Sequence, residues 1–256
     1  WVAPLMYFIG IGMVICSCII LKKTKQFAGD PAPFIMELPN YHLPSIKGVL
    51  IHVWERVWAF VKKAGTILFL CVVVMWALSS YGFDNGSFGA VDADKSLMAS
   101  IGGALAFIFK PLGFGTWQAV ASSISGFVAK EGIVSTMGVL SGLGEIEEYS
   151  ASMRTAFDAF FPSTIAAISF LLFNLFDSPC LAAISTVAKE MNSKSHFWYT
   201  IIFQNLSAYL FALVVYQLGG LAIGQVAFGV WTVIAAAIAI FVLYLLFRPD
   251  PNKKKM

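Results

Sequence analysis

Charged residues are scarce in this chain of 256 residues. Asp, Glu, Lys and Arg make up 12% of the sequence, whereas a typical soluble domain carries about 25%. Hydrophobic residues reach 59%, and the mean hydropathy is +0.79. A soluble protein of this size could not cover its surface with so few charges. The composition therefore excludes a soluble globular fold and indicates a protein that folds in a lipid bilayer.

The motifs of nucleotide-driven and hydrolytic enzymes are also missing. The sequence holds no G-x-x-x-x-G-K-[ST] phosphate loop, no H-E-x-x-H and no G-x-S-x-G. Only four cysteines and three histidines are present, and the cysteine spacing matches neither a disulfide framework nor a zinc site. We therefore expect a chain that is not an enzyme, binds no nucleic acid and holds no permanently bound cofactor.

Long uncharged runs predict membrane-spanning helices. A helix needs about 20 mostly apolar residues to cross the hydrocarbon core of a bilayer. Runs of this order predict transmembrane spans at residues 1–21, 64–83, 197–218 and 221–247. The chain begins inside the first of these runs, with Trp rather than Met, and we expect it to be the C-terminal portion of a longer protein.

The remaining segments predict elements that do not simply cross. Residues 22–63 predict a cytoplasmic Pro-rich loop followed by an amphipathic interfacial helix, because prolines prevent a continuous helix and apolar residues then recur at helical spacing. Residues 97–110 are too few to span and predict a short outer interfacial helix. Residues 117–140 are long enough, but Lys130 and Glu131 in their middle predict a broken transmembrane span.

Residues 158–190 predict a re-entrant hairpin. An apolar run is interrupted by four residues, Asp177, Ser178, Pro179 and Cys180, and a second apolar piece follows. Broken backbone at membrane depth occurs only where protein or a water-filled cavity surrounds it. Two half-length helices that meet at a polar tip fit this constraint.

The positive-inside rule orients these segments. With the start of the chain outside, Lys95 and Lys110 lie outside, Lys130 lies within the membrane, and the other fourteen of the 17 Lys and Arg lie inside. The basic tail at 248–256 is then cytoplasmic. This orientation depends on the re-entrant interpretation of 158–190.

Lys130 and Glu131 are candidate pathway residues. A charge near the bilayer centre costs a few kcal/mol, so such residues pair, face the bundle interior or line a pathway. Gly126 and Gly132 flank the two charges and permit a helix break. A structural ion pair is the alternative.

The interruption at 177–180 is a candidate ion site. Pro179 has no backbone N–H, so neighbouring carbonyl groups lose a partner and can face a cation. The thiolate of Cys180 is a soft ligand suited to transition metals, and Asn174 and Asp177 offer oxygen ligands. A kinked structural helix is the alternative. The candidate metal ligands are Cys180, Glu131 and Asn174. The predicted transport pathway comprises Asp177, Ser178, Pro179, Cys180, Lys130 and Glu131.

Four blocks of the sequence resemble the FeoB-type ferrous iron transporters. In chain order they are residues 31–44, 52–56 with 62–67, 126–131 with 134–138, and 178–180 with 188–190. The third block reads Gly-Phe-Val-Ala-Lys-Glu, and the fourth contains Ser-Pro-Cys. The resemblance extends from the first residue to about Leu218.

This resemblance implies import of Fe²⁺ across a bacterial inner membrane, with this chain as the C-terminal half of a multi-pass permease. The implied fold is an all-α polytopic, nucleoside-permease-like gate fold with surface-lying helices and a re-entrant hairpin, in which 158–190 is the second gate motif. Cys180 becomes the metal-contacting thiol. GTP and Mg²⁺ would bind only to an N-terminal domain absent from this chain.

The resemblance also implies partners. These are the lipid bilayer and the N-terminal half with its GTP-binding domain and first gate, and the further candidates are small cytoplasmic Feo accessory proteins and a second copy of the chain. Two other functions stay open. One is a carrier of a small organic solute, such as a nucleoside, on the same fold, and the other is a non-transporting membrane scaffold.

Overall fold

The computed structural model describes residues 1–24, 45–84, 87–140, 160–191 and 193–249. Three predicted features fall wholly or partly outside these ranges: the Pro-rich part of 22–63, the first two residues of 158–190, and most of the tail at 248–256. The helices are α1 Val2–Lys22, α2 Ile46–Ser80, α3 Leu97–Phe109, α4 Trp117–Val128, α5 Gly132–Leu140, α6 Thr164–Phe176, α7 Leu181–Glu190, α8 Lys194–Val214, α9 Gly220–Ile223 and α10 Val230–Phe247.

Within the described ranges, four helical segments are long and apolar enough to cross a membrane. A fifth exists if one sharply bent pair of helices counts as a single span. The prediction of an all-α polytopic membrane protein is therefore confirmed. The four segments are Val2–Lys22, Thr164–Glu190, Lys194–Ile223 and Val230–Phe247.

The chain divides into two compact units, Trp1–Thr66 with Val242–Met256, and Ile67–Phe241. In the first unit, the ammonium group of Lys23, just past the end of α1, donates hydrogen bonds to the backbone carbonyls of Leu245 and Leu246, at 3.3 and 2.5 Å. Carbonyl groups in the last turn of a helix have no partner within the helix. Lys23 therefore caps the C-terminal end of α10.

Helix α2 covers two predicted segments. The sequence predicts an interfacial helix up to residue 63 that runs directly into a span at 64–83, and the structure has one helix from Ile46 to Ser80. The last three residues of the predicted span belong instead to a β-strand. The sequence has no Gly-Pro or Pro-Gly dipeptide at the predicted boundary, so nothing in the backbone interrupts the helix there.

A small antiparallel β-hairpin follows α2. Strand β1, Tyr81–Asp84, pairs with β2, Ser87–Ala90, in a register that sets Tyr81 opposite Ala90. The rings of Tyr81 and Phe88 stack with centroids 5.8 Å apart, and Phe83 lies 5.3 Å from Phe88. Aromatic cross-strand contacts of this kind stabilise a short pair of strands.

A sharp bend lies between α3 and α4. Leu97–Leu112 and Trp117–Val128 meet at 99°, and Gly113 between them has a φ of +89°, a conformation that favours glycine. Helices α6 and α7, in contrast, follow one another across residues 177–180 as one interrupted candidate span. Length and composition allow this segment to cross, and the re-entrant hairpin at 158–190 stays a prediction.

The local backbone shows how the helix is interrupted. Asp177 is extended with ψ of 173°, and Cys180 is also non-helical, with ψ of 156°. These residues interrupt the helical hydrogen bonds without supplying the left-handed residue that turns the chain at Gly113.

Helix α8 continues past the predicted turn. The sequence predicts a turn at Gly219 and Gly220 between the spans 197–218 and 221–247. The structure has a π-helical turn at Val215–Gly219 and then α9, and residues 224–229 make the connection to α10. In the π-helical turn, Gln217 is buried and donates to the Pro111 carbonyl at 2.7 Å.

The core of the second unit is aromatic. Phe109, Phe114, Phe170 and Phe173 lie with ring centroids 5.3 to 5.8 Å apart. Lipid tails are as apolar as these side chains, so helices in a bilayer associate through close packing rather than through the hydrophobic effect. The core holds α3, α6 and the loop before α4 together, and this packing fixes the position of the C-terminal end of α6.

Candidate functional site

Two interruptions of helical structure carry the predicted site residues. The first separates α4 from α5 at residues 129–131, where Ala129 is extended with φ −151° and ψ 125°. The second separates α6 from α7 at residues 177–180. The first interruption occurs where Lys130 and Glu131 predict a break, although whether 117–140 crosses the membrane stays a prediction.

An ion pair joins the two interruptions. The ammonium group of Lys130 contacts Oδ1 of Asp177 and also donates to the backbone carbonyl of Asn174 at 2.5 Å. The Asp177 side chain is 1% exposed, whereas that of Lys130 is 36% exposed. A buried carboxylate is stable only with a compensating charge. The sequence identifies both residues as candidates, and the structure makes them partners.

Among the residues that the structure describes, two oxygen atoms of Asp177 and Asn174 have no hydrogen-bond partner. They are Oδ2 of Asp177 and Oδ1 of Asn174, and both are buried. The side-chain amide nitrogen of Asn174 donates to the Phe170 carbonyl at 2.8 Å, which holds the amide in place. Buried polar atoms are nearly always paired, so two unpaired acceptors on neighbouring turns require an explanation.

Helix α8 supports the second interruption through two amide side chains. Asn205 donates to Oγ of Ser178 at 2.5 Å, and Gln204 donates to the Asp177 carbonyl at 3.3 Å. The sequence reasoning missed both residues. Two adjacent amides inside an otherwise apolar predicted span were the available signal, because polar side chains in a membrane helix usually bond to a neighbouring helix.

A hydroxyl network spans the first interruption. Oγ of Ser125 in α4 donates to the Gly132 carbonyl at 3.2 Å, and Thr136 in α5 donates to Ser125 at 2.9 Å. Ser125 also donates to the Ser122 carbonyl at 2.8 Å. These bonds connect α4 to α5 although three non-helical residues separate them. The sequence reasoning missed this network as well.

A close backbone approach brings α4 to Asn174. A Cβ atom added to Gly126 would lie 2.7 Å from the Ile133 side chain and 3.7 Å from Oδ1 of Asn174. The unpaired amide oxygen of Asn174 therefore faces the backbone of α4, and the space beside it depends on glycine at position 126.

Cys180 and Glu131 lie at the edges of this arrangement. Cys180 is half-buried, has a free thiol and immediately precedes α7, whose first bond runs from the Ile184 amide to the Cys180 carbonyl at 3.0 Å. Glu131 is exposed. In the described ranges no three His, Cys, Asp or Glu side chains are grouped closely enough to hold a metal. The roles of Cys180, Glu131 and Asn174 as ligands stay predictions.

A cleft of about 390 Å³ lies elsewhere in the second unit. Its lining includes Lys110, Thr116, Phe161 and Tyr216 but none of the predicted pathway residues. The candidate site is therefore the junction of the two interruptions, not this cleft.

Two family models match the chain. "Ferrous iron transport protein B C terminus" matches residues 3–56, and the gate family, described as "Nucleoside recognition", matches residues 61–194, which is more than half of the chain. The second match contains both interruptions. Neither description is that of an enzyme domain.

Curated relatives agree with these matches. A protein of Staphylococcus aureus (strain MSSA476) called "Fe(2+) transporter FeoB" is 34% identical over 84% of this chain and 31% of its own length. A protein of the same name from Methanocaldococcus jannaschii is 34% identical over 84% of this chain and 32% of its own length. The relative from Helicobacter pylori is 32% identical over 77% of this chain and 35% of its own length.

The chain spans about a third of the length of these curated relatives. No solved structure matches it. The resemblance to FeoB-type proteins is nevertheless confirmed by two family models in chain order and by relatives from bacteria and an archaeon. The chain therefore belongs to the gate family described as nucleoside recognition, and it corresponds to the C-terminal part of FeoB-type proteins.

Proposed function

We propose that this chain forms part of the Fe²⁺ pathway of a transporter in the bacterial inner membrane. The relatives are called Fe(2+) transporters. The observation that carries the proposal is the buried carboxylate of Asp177 at a point where two interrupted helices meet. Transporters bind ions at mid-depth where helices are broken, because backbone and side-chain oxygens are then free to replace water.

In this proposal, Fe²⁺ loses part of its water shell at the junction. The Cys180 thiolate, Asp177 and Asn174 replace that water, with Glu131 as a further ligand at the exposed edge. Thiolate favours a transition metal over Na⁺ or Ca²⁺, and carboxylate and amide oxygens complete the shell. Ser178, Pro179 and Lys130 line the same passage.

The chain is proposed to work with other parts of a longer protein. An N-terminal GTP-binding domain would supply the energy with GTP and Mg²⁺, and a first gate half would complete the passage. Small cytoplasmic Feo proteins and a second copy of the chain are further candidate partners. The chain itself would hold no permanent cofactor and catalyse no reaction, and its C-terminus would be cytoplasmic.

One observation favours a second candidate function. The gate family is described as nucleoside recognition, so a nucleoside-like solute is the alternative cargo. The site argues against it, because the amide groups of Asn174, Gln204 and Asn205 already donate to protein oxygens and the junction carries a carboxylate–ammonium pair.

The test is uptake of ⁵⁵Fe²⁺ by a transport-deficient bacterium that expresses the full-length protein. We expect iron uptake above the vector control, and a loss of about tenfold or more in Cys180→Ser, as is typical when a metal ligand or its support is removed. Cys71→Ser is the matched control, because Cys71 lies in helix α2 away from both interruptions. Nucleoside uptake without iron uptake in correctly inserted protein would reject the iron proposal, and unchanged iron uptake in Cys180→Ser would remove Cys180 from the pathway.

A further inference from the structure

We propose that Lys130 is a tethered cation that occupies the seat of a divalent metal ion. The seat consists of the carboxylate of Asp177 and the two oxygens of Asn174. Metal binding and the Lys130–Asp177 ion pair would then exclude one another. This inference rests on the proposed function, because it assigns a resting occupant to the same junction.

The oxygen atoms of the junction support such a seat. The two residues that Lys130 contacts carry four oxygens: both carboxylate oxygens of Asp177, and the side-chain and backbone oxygens of Asn174. The ammonium group of Lys130 contacts one of each pair, Oδ1 of Asp177 and the backbone carbonyl of Asn174. The other two, Oδ2 of Asp177 and Oδ1 of Asn174, are buried and unpaired. An ammonium group has only three donors, whereas a first-row divalent cation accepts a larger set of oxygen ligands.

Charge makes the two occupants alternatives. The side chain of Asp177 is 1% exposed, and its carboxylate requires a positive partner whenever it is ionised. In the part of the chain that the structure describes, Lys130 is the ion-pair partner of Asp177. A divalent ion at Asp177 would repel the ammonium group from the same oxygens. Exchange of one cation for the other keeps the buried carboxylate compensated throughout.

The two partners differ in their freedom to move. Two hydrogen bonds hold Asp177 in place. Its backbone amide donates to the Phe173 carbonyl at 2.9 Å, and the side chain of Gln204 donates to the backbone carbonyl of Asp177. Lys130 lies in the non-helical segment between α4 and α5, and its side chain is 36% exposed. A long lysine side chain of this kind can turn its charge towards water. Lys130 is therefore the partner that leaves.

Removal of the Lys130 charge should tighten metal binding. If the ammonium group fills the seat for about 90% of the time or more, a neutral residue at 130 lowers the apparent Kd at least about tenfold. The probe is Mn²⁺, which binds oxygen ligands and whose free ion is counted by electron paramagnetic resonance. The protein is the full-length protein in lipid nanodiscs.

Three variants test the role of the charge. We expect tighter Mn²⁺ binding in Lys130→Met, wild-type binding in Lys189→Met, and loss of the gain in Lys130→Met/Asp177→Asn. Lys189 is an exposed lysine near the end of α7, so its replacement matches the substitution without touching the seat. Wild-type affinity in Lys130→Met, or a gain that persists in the double variant, would overturn the proposal.

A second measurement uses the wild-type protein and does not depend on the folding of any variant. If Mn²⁺ displaces Lys130, modification of its amine by a water-soluble acylating reagent should rise with Mn²⁺ concentration, whereas modification of Lys189 should not. Mass spectrometry of the labelled peptides gives both yields. Lys130 labelling that does not respond to Mn²⁺ would overturn the proposal.

The failure of this inference is distinct from the failure of the proposed function. Tighter Mn²⁺ binding in Lys130→Met without any cellular iron uptake would support the exchange and reject the Fe²⁺ proposal. Iron uptake without any effect of Lys130→Met on Mn²⁺ binding would support the Fe²⁺ proposal and reject the exchange.

Discussion

Lys130 and Asp177 lie 47 positions apart in the chain and form an ion pair between two interrupted helices. Each interruption on its own would be a local irregularity in an apolar helix. The ion pair joins them into one polar junction, and the bonds from Gln204 and Asn205 attach that junction to α8. The junction is therefore a built feature of the second unit that combines an ion pair with buried oxygens, and Cys180 follows Asp177 three positions later in the chain.

The ion pair should contribute to stability in a way that depends on which partner is removed. Lys130→Met leaves the buried carboxylate of Asp177 without compensation. A fully buried pair that loses one partner costs about 3–5 kcal/mol, and we expect about 2–3 kcal/mol here because solvent screens the partly exposed Lys130. The double variant Lys130→Met/Asp177→Asn should lose less free energy of unfolding than Lys130→Met, because it leaves no buried charge. The measurement is unfolding in detergent micelles with a metal chelator present.

Lys189→Met is the control for that experiment, and a surface replacement of this kind changes stability by about 0.5 kcal/mol or less. A Lys130→Met protein as stable as the double variant would show that the carboxylate finds another partner.

The bend between α3 and α4 should depend on Gly113. This residue has a φ of +89°, and an added Cβ would lie 2.1 Å from the Tyr216 ring. Gly113→Ala should therefore destabilise the protein by about 1–3 kcal/mol, through both backbone strain and the clash. Gly103→Ala in α3 is the matched control, because its Cβ meets nothing within 4 Å and alanine favours a helix by up to about 1 kcal/mol. Equal effects at the two positions, measured as unfolding midpoints, would contradict this account.

Features that depend on a local pattern were predictable from the sequence. Apolar runs predict α1, α8 and α10 because a bilayer demands about 20 apolar residues. The break at Lys130 was predictable because two charges with flanking glycines do not continue an apolar span. The hairpin at Tyr81–Ala90 was missed, although Asn-Gly at 85–86 is a strong hairpin signal between aromatic residues.

Features that depend on three-dimensional placement were not predictable. The pairing of Lys130 with Asp177 links elements that no periodicity connects, so the sequence gives two candidates and not their contact. The direction of α7 after Pro179 is likewise not set by the sequence, since a proline interrupts helical bonds but does not set the angle between the two pieces. The contributions of Gln204 and Asn205 follow only from the position of α8.

The thiol of Cys180 should be accessible from water. If the junction lies on an ion pathway, a membrane-impermeant maleimide should label Cys180, and Fe²⁺ under anaerobic conditions should slow that labelling. Cys16, Cys18 and Cys71 lie within the apolar helices α1 and α2 and serve as internal controls. Labelling is followed by mass spectrometry of the intact protein and its peptides. Rapid labelling of Cys71 together with an inert Cys180 would place the pathway elsewhere.

The most direct test of the account is the initial rate of ⁵⁵Fe²⁺ uptake by the full-length protein with Lys130→Met/Asp177→Asn. This double variant removes the acidic group without leaving a lone buried charge, so a loss of transport does not reduce to a loss of folding. Asp92→Asn/Lys189→Met, which makes the same two replacements at exposed positions, is the control, and both rates are normalised to inserted protein. We expect a fall of about tenfold or more in the junction variant and a wild-type rate in the control. A wild-type rate in the junction variant would contradict the proposal that the junction of Lys130 and Asp177 lies on the Fe²⁺ pathway.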